Sequence, residues 1–224
     1  MPATDAGVPA IEELTARGVN VNITLLFSVE RYEQVIDAYI NGLERRSADG
    51  EPIDAIASVA SFFVSRVDAK ADASLPADSG LRGRVALANA HHAYGRYRQR
   101  FADGRWQRLS AVGARPQRPL WASTATKDPA YSDVLYVESL IAPGVINTMP
   151  HSTLRAFADH GMVGEALDAD ARGAVAVLCE AQIAGVDLDA ITAQLERDGV
   201  RSFCDSYREL LDRIAAKVDR GISV

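Results

Sequence analysis

Apolar positions in the first two thirds of the chain alternate between a helical period and a period of two. Val8, Ile11 and Leu14 fall on one stripe within residues 5–17, which end at Gly18, predicting a helix with a glycine stop. Over Val19–Phe27 the period becomes two: Val19, Val21, Ile23, Leu25 and Phe27 share one face, while Asn20, Asn22 and Thr24 share the other. That pattern predicts a strand with one apolar and one polar face. Ser28 is placed to cap a helix on which Tyr32, Val35, Ile36, Tyr39, Ile40 and Leu43 recur at helical spacing until Asp49-Gly50. Residues 54–64 read as a second strand and residues 66–80, rich in Ala, Asp, Ser and Pro, as a loop. A long helix over Gly83–Phe101, a strand over Pro119–Thr124, a short helix over Asp133–Leu140 and a short strand over Val145–Thr148 follow. A helix from Pro150 to near Gly161 comes next, and the last fifty residues hold two or three helical segments without a strand.

Strands alternating with helices imply a parallel sheet, because each crossover must return the chain to the same end. Four such rounds are half of an eight-stranded barrel, and a complete barrel takes about 250 residues before appendages. The expected fold is therefore α/β, the C-terminal half of a (β/α)8 TIM barrel of about four strands. A single domain over 1–224 is expected, with barrel units in 1–165 and extra helices in 166–224. The chain shows neither internal repeats nor low-complexity tracts.

Charge and cysteine usage narrow the function classes. A net charge of −6 argues against a dedicated nucleic-acid binder, which concentrates positive charge. Seven arginines between Arg82 and Arg108 form no regular stripe with interleaved aromatics, so a solvated helix face is the expected reading of that segment. The two cysteines, Cys179 and Cys204, form no CxxC pair and are expected to be free thiols, Cys179 in the core. His91 and His92 are adjacent, so on a helix they point about 100° apart and do not share a metal. No apolar run reaches the roughly 20 residues needed to span a bilayer. The first residues lack the features of a secretion signal, so a cytoplasmic protein without a membrane partner is expected.

Three stretches carry a family resemblance. Gly18-Val19-Asn20-Val21-Asn22-Ile23-Thr24-Leu25-Leu26-Phe27-Ser28 resembles the transaldolase strand Gly-Ile-x-x-Asn-x-Thr-Leu-x-Phe-Ser. Ser61-Phe62-Phe63-Val64-Ser65-Arg66-Val67-Asp68 resembles the family's Ser-x-Phe-Val-x-Arg-x-Asp. Leu120-Trp121-Ala122-Ser123-Thr124, with Lys127-Asp128-Pro129 and Asn147-Thr148-Met149-Pro150, is similar to the actinobacterial branch. The resemblance implies transfer of a dihydroxyacetone unit from sedoheptulose 7-phosphate or fructose 6-phosphate to an aldose phosphate, without metal or organic cofactor. In the family a lysine forms a Schiff base with the donor, and the protonated imine accepts the electrons of the breaking carbon–carbon bond.

That lysine lies in a segment resembling Lys-Ile-Pro-Ala-Thr, whereas this chain starts Met1-Pro2-Ala3-Thr4. The lysine and two catalytic carboxylates would lie upstream, and this chain alone is expected to be inactive. By resemblance Asn22 bonds the substrate near the imine and Thr24 holds a proton-relaying water. Ser61 contacts substrate hydroxyls, Arg66 grips the sugar phosphate through its planar fork of donors, and Ser123 adds to the phosphate site. The family's arginine shortly after that serine is absent; Ala125 and Thr126 intervene, and Lys127 is the nearest cation, read either as a phosphate ligand or as a solvated surface lysine. Arg66 could instead pair with Asp68 at the surface. Neither Lys127 nor Lys70 is expected to replace the missing lysine; Lys70 is read as lying beside Asp68 and Asp72 in a loop. The alternative function is a non-catalytic sugar-phosphate-binding or complementing fragment. Open edges at Val19–Phe27 and Val145–Thr148 would favour self-association.

Overall fold

The computed structural model describes residues 1–221, with side chains placed through Val218. Thirteen elements run in the order α1 (Gly7–Ala16), β1 (Val21–Leu26), α2 (Val29–Ala48), β2 (Ser58–Phe63), α3 (Ser65–Ser74), α4 (Val85–Arg100), α5 (Gly104–Ser110), β3 (Arg118–Ala122), α6 (Leu135–Glu138), β4 (Ile146–Asn147), α7 (His151–His160), α8 (Arg172–Ile183) and α9 (Leu188–Gly221). The strands pair in parallel in the linear order β1-β2-β3-β4, and the sheet does not close. This is an α/β architecture with part of a barrel and extra C-terminal helices, as the alternating periods predicted. Among the described residues, no helix is long and apolar enough to cross a membrane.

The period-two stretch folds as read, with two adjustments. Val21, Ile23 and Leu25 are buried while Asn22 is exposed, but Val19 lies outside the strand and is 45% exposed. Leu25 has φ 62°, and the pairing with β2 slips between Ile23 and Leu26. This bulge inserts one residue and lets Leu25 and Leu26 both enter the core. The following helix is capped as expected: Ser28 accepts from the Arg31 N–H at 3.2 Å. All six apolar residues of its stripe, Tyr32 to Leu43, are buried. Gly42 allows α2 to cross α1 closely, since a Cβ there would meet the Glu12 carbonyl and the Thr15 side chain at 2.6 Å.

Residues 66–80, expected as a loop, are helical through Ser74 as α3. The reason is tertiary: Val67, Asp68, Ala71 and Asp72 form a buried face, and neither the sparse apolar content nor Pro76 prevents it. The arginine-rich segment is two helices rather than one, because Asp103 caps a fresh start by accepting from the Trp106 N–H at 2.7 Å. Arg84, Arg98 and Arg108 are exposed as expected, but others of its arginines are engaged in ion pairs. Arg96 pairs with Glu33, Arg100 with Asp37, and Arg105 with Glu44, so α4 and α5 are laced to α2. Cys179, expected in the core, is exposed on α8, because that helix buries Ala174 and Ala181 instead.

Beyond β1 the chain offers one more strand-like contact. The Thr24 N–H donates to the Met1 carbonyl at 2.8 Å, and the Ala3 N–H donates to the Thr24 carbonyl at 2.8 Å. Pro2 and Thr24 thereby form a parallel bridge on the edge of β1 that β2 does not use.

Candidate active site

All four parallel strands deliver their C-terminal ends to the same side of the sheet, where α/β folds hold their ligands. Asn22, the second residue of β1, and Ser61, in the middle of β2, meet across these neighbouring strands. Ser61 is buried on β2 and its Oγ donates to Asn22 Oδ1 at 2.9 Å. The bond leaves the Asn22 amide nitrogen as a donor on the exposed face of β1. Thr24 follows two residues later on the same face, half-buried, with its backbone committed to Met1 and Ala3.

Ser123 stands just past β3 with φ 55°, a left-handed conformation that is uncommon outside glycine and recurs at functional turns. Its carbonyl accepts the Ser65 N–H at 3.0 Å, and the two hydroxyls lie 3.1 Å apart. Ser65 is the first residue of α3, so Ser123 is fastened to the turn that launches Arg66. The Arg66 side chain is exposed, and its guanidinium carbon lies 5.3 Å from the centre of the Phe63 ring. Phe63 in turn packs on Phe27 at 5.3 Å between centroids. A cation over two packed aromatics is held at the strand ends while its planar donors stay available. Beside it, Thr124 Oγ1 lies 3.0 Å from Asn147 Oδ1 and 2.8 Å from the Thr148 carbonyl, tying β3 to β4.

Lys127 is exposed in the loop after β3, on a cleft that it shares with Ser65, Asp68, Asp72, Arg82, Tyr131 and Tyr136. Arg66 does not pair with Asp68. The Asp68 carboxylate is turned into the protein, where it accepts from the Ala86 N–H at 2.7 Å and from Tyr136 Oη at 2.8 Å. Burial pushes its pKa up from 3.8 to about 6. One turn later Asp72 accepts from the Gly83 N–H at 3.0 Å and from Tyr131 Oη at 2.7 Å. Two aspartates of α3 thus satisfy orphan donors at the start of α4 and anchor the segment between β3 and β4. The structure joins Asn22 to Ser61 and, through Ser65, places Ser123 beside Arg66.

The chain has three lysines, Lys70, Lys127 and Lys217, and none lies on a strand. Lys70 is on α3 rather than in a loop and faces Asp198 of α9 at 3.8 Å, away from the buried aspartates. His91 is set against Asp168, while burial lowers the pKa of His92. Among the described residues no group of three or more His, Cys, Asp and Glu side chains could hold a metal ion. Sequence reasoning missed three contributors: Ser65, treated as a variable motif position, the Phe27–Phe63 platform, and the Asp68–Asp72 anchor. An i, i+4 aspartate pair beside a motif arginine was a visible signal for the last.

The family description "Transaldolase/Fructose-6-phosphate aldolase" matches residues 1–214. The chain is 50% identical over 229 residues to a transaldolase of Parafrankia sp. (strain EAN1pec), covering 100% of this chain and 62% of the relative. It is 50% identical over 224 residues to the transaldolase of Saccharopolyspora erythraea, covering 98% and 61%. With the transaldolase of Mycobacterium bovis it shares 47% over 226 residues, covering 98% and 61%. The chain therefore spans about three fifths of the length of these curated relatives. A family match over residues 1–214 and 50% identity across the whole chain place it in the transaldolase/fructose-6-phosphate aldolase family.

Proposed function

We propose that this chain supplies the substrate-holding part of a transaldolase site that moves a dihydroxyacetone unit from sedoheptulose 7-phosphate or fructose 6-phosphate to an aldose phosphate. The setting would be the cytoplasmic pentose phosphate pathway. The observation that carries the reading is the Ser61–Asn22 bond at 2.9 Å on the polar face of the sheet, one strand from Arg66. In this reading the Asn22 amide steers the donor near the imine carbon, and Thr24 holds a water that relays protons. Ser61 contacts substrate hydroxyls. Arg66, with Ser123 and Lys127, takes the phosphate as a fork of N–H donors on an aromatic platform.

Imine chemistry needs a lysine whose amine is neutral and close to the ketone. None of the three lysines stands on a strand beside Asn22, so this chain on its own binds sugar phosphate and does not turn it over. The lysine would sit on the strand that Met1–Ala3 continues beside β1. Borohydride trapping with fructose 6-phosphate tests this. No adduct should form on this chain, and one adduct should form on a protein in which the portion that the relatives carry in addition precedes it. A covalent adduct on Lys70 or Lys127 would overturn the assignment. Calorimetry with fructose 6-phosphate against fructose tests binding alone, and equal affinity for both would remove the phosphate role of Arg66.

A further inference from the structure

Arg98 is the arginine of α4 that the fold leaves over. Arg96 and Arg100 are committed to Glu33 and Asp37 of α2. Arg98 is exposed, has no carboxylate partner among the described residues, and donates to Tyr94 Oη at 3.3 Å. Its surroundings are set by one close contact. A Cβ on Gly95 would come within 3.0 Å of Ala171 Cβ, so the segment leading into α8 lies directly on α4. His92 and Arg98 stand about one turn to either side of Gly95, and Arg172 follows Ala171. An imidazole and two guanidiniums therefore gather around one point of the surface, where Arg96 joins them.

The space between them is a cavity of about 580 Å³ with Gly95, Ala171 and Val175 as its apolar floor. A second cavity of about 520 Å³ shares His92 and Val175 with the first, so the two form one groove along α8. Each has the size of a small-molecule site. The ends of the groove differ in chemistry. At the first end Glu33 is bound to Arg96, Asp170 to Arg172, and Asp168 is set against His91, which leaves the Arg98 guanidinium without a counter-charge of its own. The middle is walled by Val175, Leu178 and Leu188. At the far end Asp187 already accepts the Ala190 N–H at 2.9 Å, while the Asp189 side chain is exposed and has no partner among the described residues.

We propose that this groove binds a nucleoside phosphate, with its phosphate on Arg98 and Arg172, its ring system against Val175 and Leu178, and its amino or hydroxyl donors towards Asp189. Guanidiniums offer paired donors that match phosphate oxygens. A flat ring covers the apolar middle, which a sugar phosphate would leave unfilled. A carboxylate at the far end repels phosphate and accepts from N–H and O–H groups, so it fixes the direction in which the ligand lies.

Calorimetry tests this on the chain carrying Arg66→Ala, which silences the phosphate role assigned to Arg66. The probes are adenosine monophosphate, fructose 6-phosphate and inorganic phosphate. Adenosine monophosphate should bind one-to-one and at least about tenfold more tightly than the other two. Arg98→Gln with Arg172→Gln should weaken that binding about tenfold or more. Arg84→Gln with Arg108→Gln, which removes the same charge from exposed positions elsewhere, should not. All four side chains are exposed, so both pairs should leave the melting temperature unchanged. In NMR spectra the His92 imidazole signals should move on binding, and those of His151 and His160 on α7 should stay. The absence of saturable binding up to about 5 mM adenosine monophosphate would overturn the proposal. So would binding that survives Arg98→Gln with Arg172→Gln, binding weakened equally by both pairs, or His92 signals that do not move. Fructose 6-phosphate or inorganic phosphate bound as tightly as adenosine monophosphate would also sink it, since the apolar middle would then contribute nothing.

Discussion

Replacing Asp68 by asparagine removes a buried charge while keeping an acceptor for the Ala86 N–H and a group able to bond Tyr136 Oη. Burial raises the pKa of this carboxyl from 3.8 to about 6. The folded protein therefore holds the proton more tightly than the unfolded chain. The ionised group opposes folding above pH 6, and that opposition is relieved as pH falls from 6 towards 3.8. A carboxyl held that far above its ordinary value opposes folding, once ionised, by about 3 kcal/mol. Asp68→Asn should accordingly be more stable than the wild type at pH 7.5, by up to about 3 kcal/mol, and the advantage should vanish near pH 4. Asp68→Ala should instead lose about 2–5 kcal/mol near pH 4, because the Ala86 N–H and Tyr136 hydroxyl would be left without partners, and that loss should shrink by about 3 kcal/mol at pH 7.5, where the wild type carries the buried charge. Urea denaturation of the three proteins across pH 4 to 8 is the assay. Subtracting asparagine from wild-type values removes groups common to both, such as Asp170, which Arg172 holds down to about 2. An asparagine variant as unstable as the alanine variant at pH 7.5 would refute the reasoning, as would one with the wild-type pH slope.

Other substitutions test separate links. Gly42→Ala should destabilise by about 2 kcal/mol or more, because its Cβ would strike the Glu12 carbonyl and Thr15 at 2.6 Å; a neutral result in thermal melting would mean that the α1–α2 crossing yields. Arg105→Ala should lose about 1 kcal/mol at low salt and less at 0.5 M sodium chloride, since its pairs with Glu44 and Asp37 are partly exposed. Arg66→Ala should lower fructose 6-phosphate affinity about tenfold to a hundredfold, with stability within about 0.5 kcal/mol of wild type. Arg66→Lys should recover little of that affinity, and full recovery in calorimetry would argue against a bidentate grip.

The architecture was legible wherever one face of an element is buried. The stripe from Tyr32 to Leu43 and the alternation from Val21 to Leu25 both reflect a buried core face, and both fold as read. Legibility failed where burial is polar. The buried side of α3 includes Asp68 and Asp72, which look like loop residues until Ala86, Gly83 and two tyrosines from distant segments satisfy them. Arg96, Arg100 and Arg105 resembled part of a solvated face because their partners, Glu33, Asp37 and Glu44, lie some sixty residues earlier. For the site, motif resemblance singled out Asn22, Ser61, Arg66 and Ser123. It could not indicate that Ser65 fastens Ser123, or that Phe63 carries the arginine, since those are geometric facts about neighbouring strand ends.

The bulge at Leu25 turns β1 into a measuring device. Between Ile23 and Leu26 the strand advances three residues while β2 advances two, from Ala60 to Phe62. The extra residue offsets everything downstream, including the Ser28 cap and α2, by one strand step of roughly 3.3 Å relative to Asn22 and Thr24. Segment length between Asn22 and Ser28 is therefore the controlled quantity, more than the side chain at position 25. A replacement there has to accept φ 62° as well as fill the space near Gly199, which disfavours β-branched residues. Deleting it would change the composition by one apolar residue yet realign α2 against the sheet, leaving Asn22 in place and every neighbour from the next element out of step.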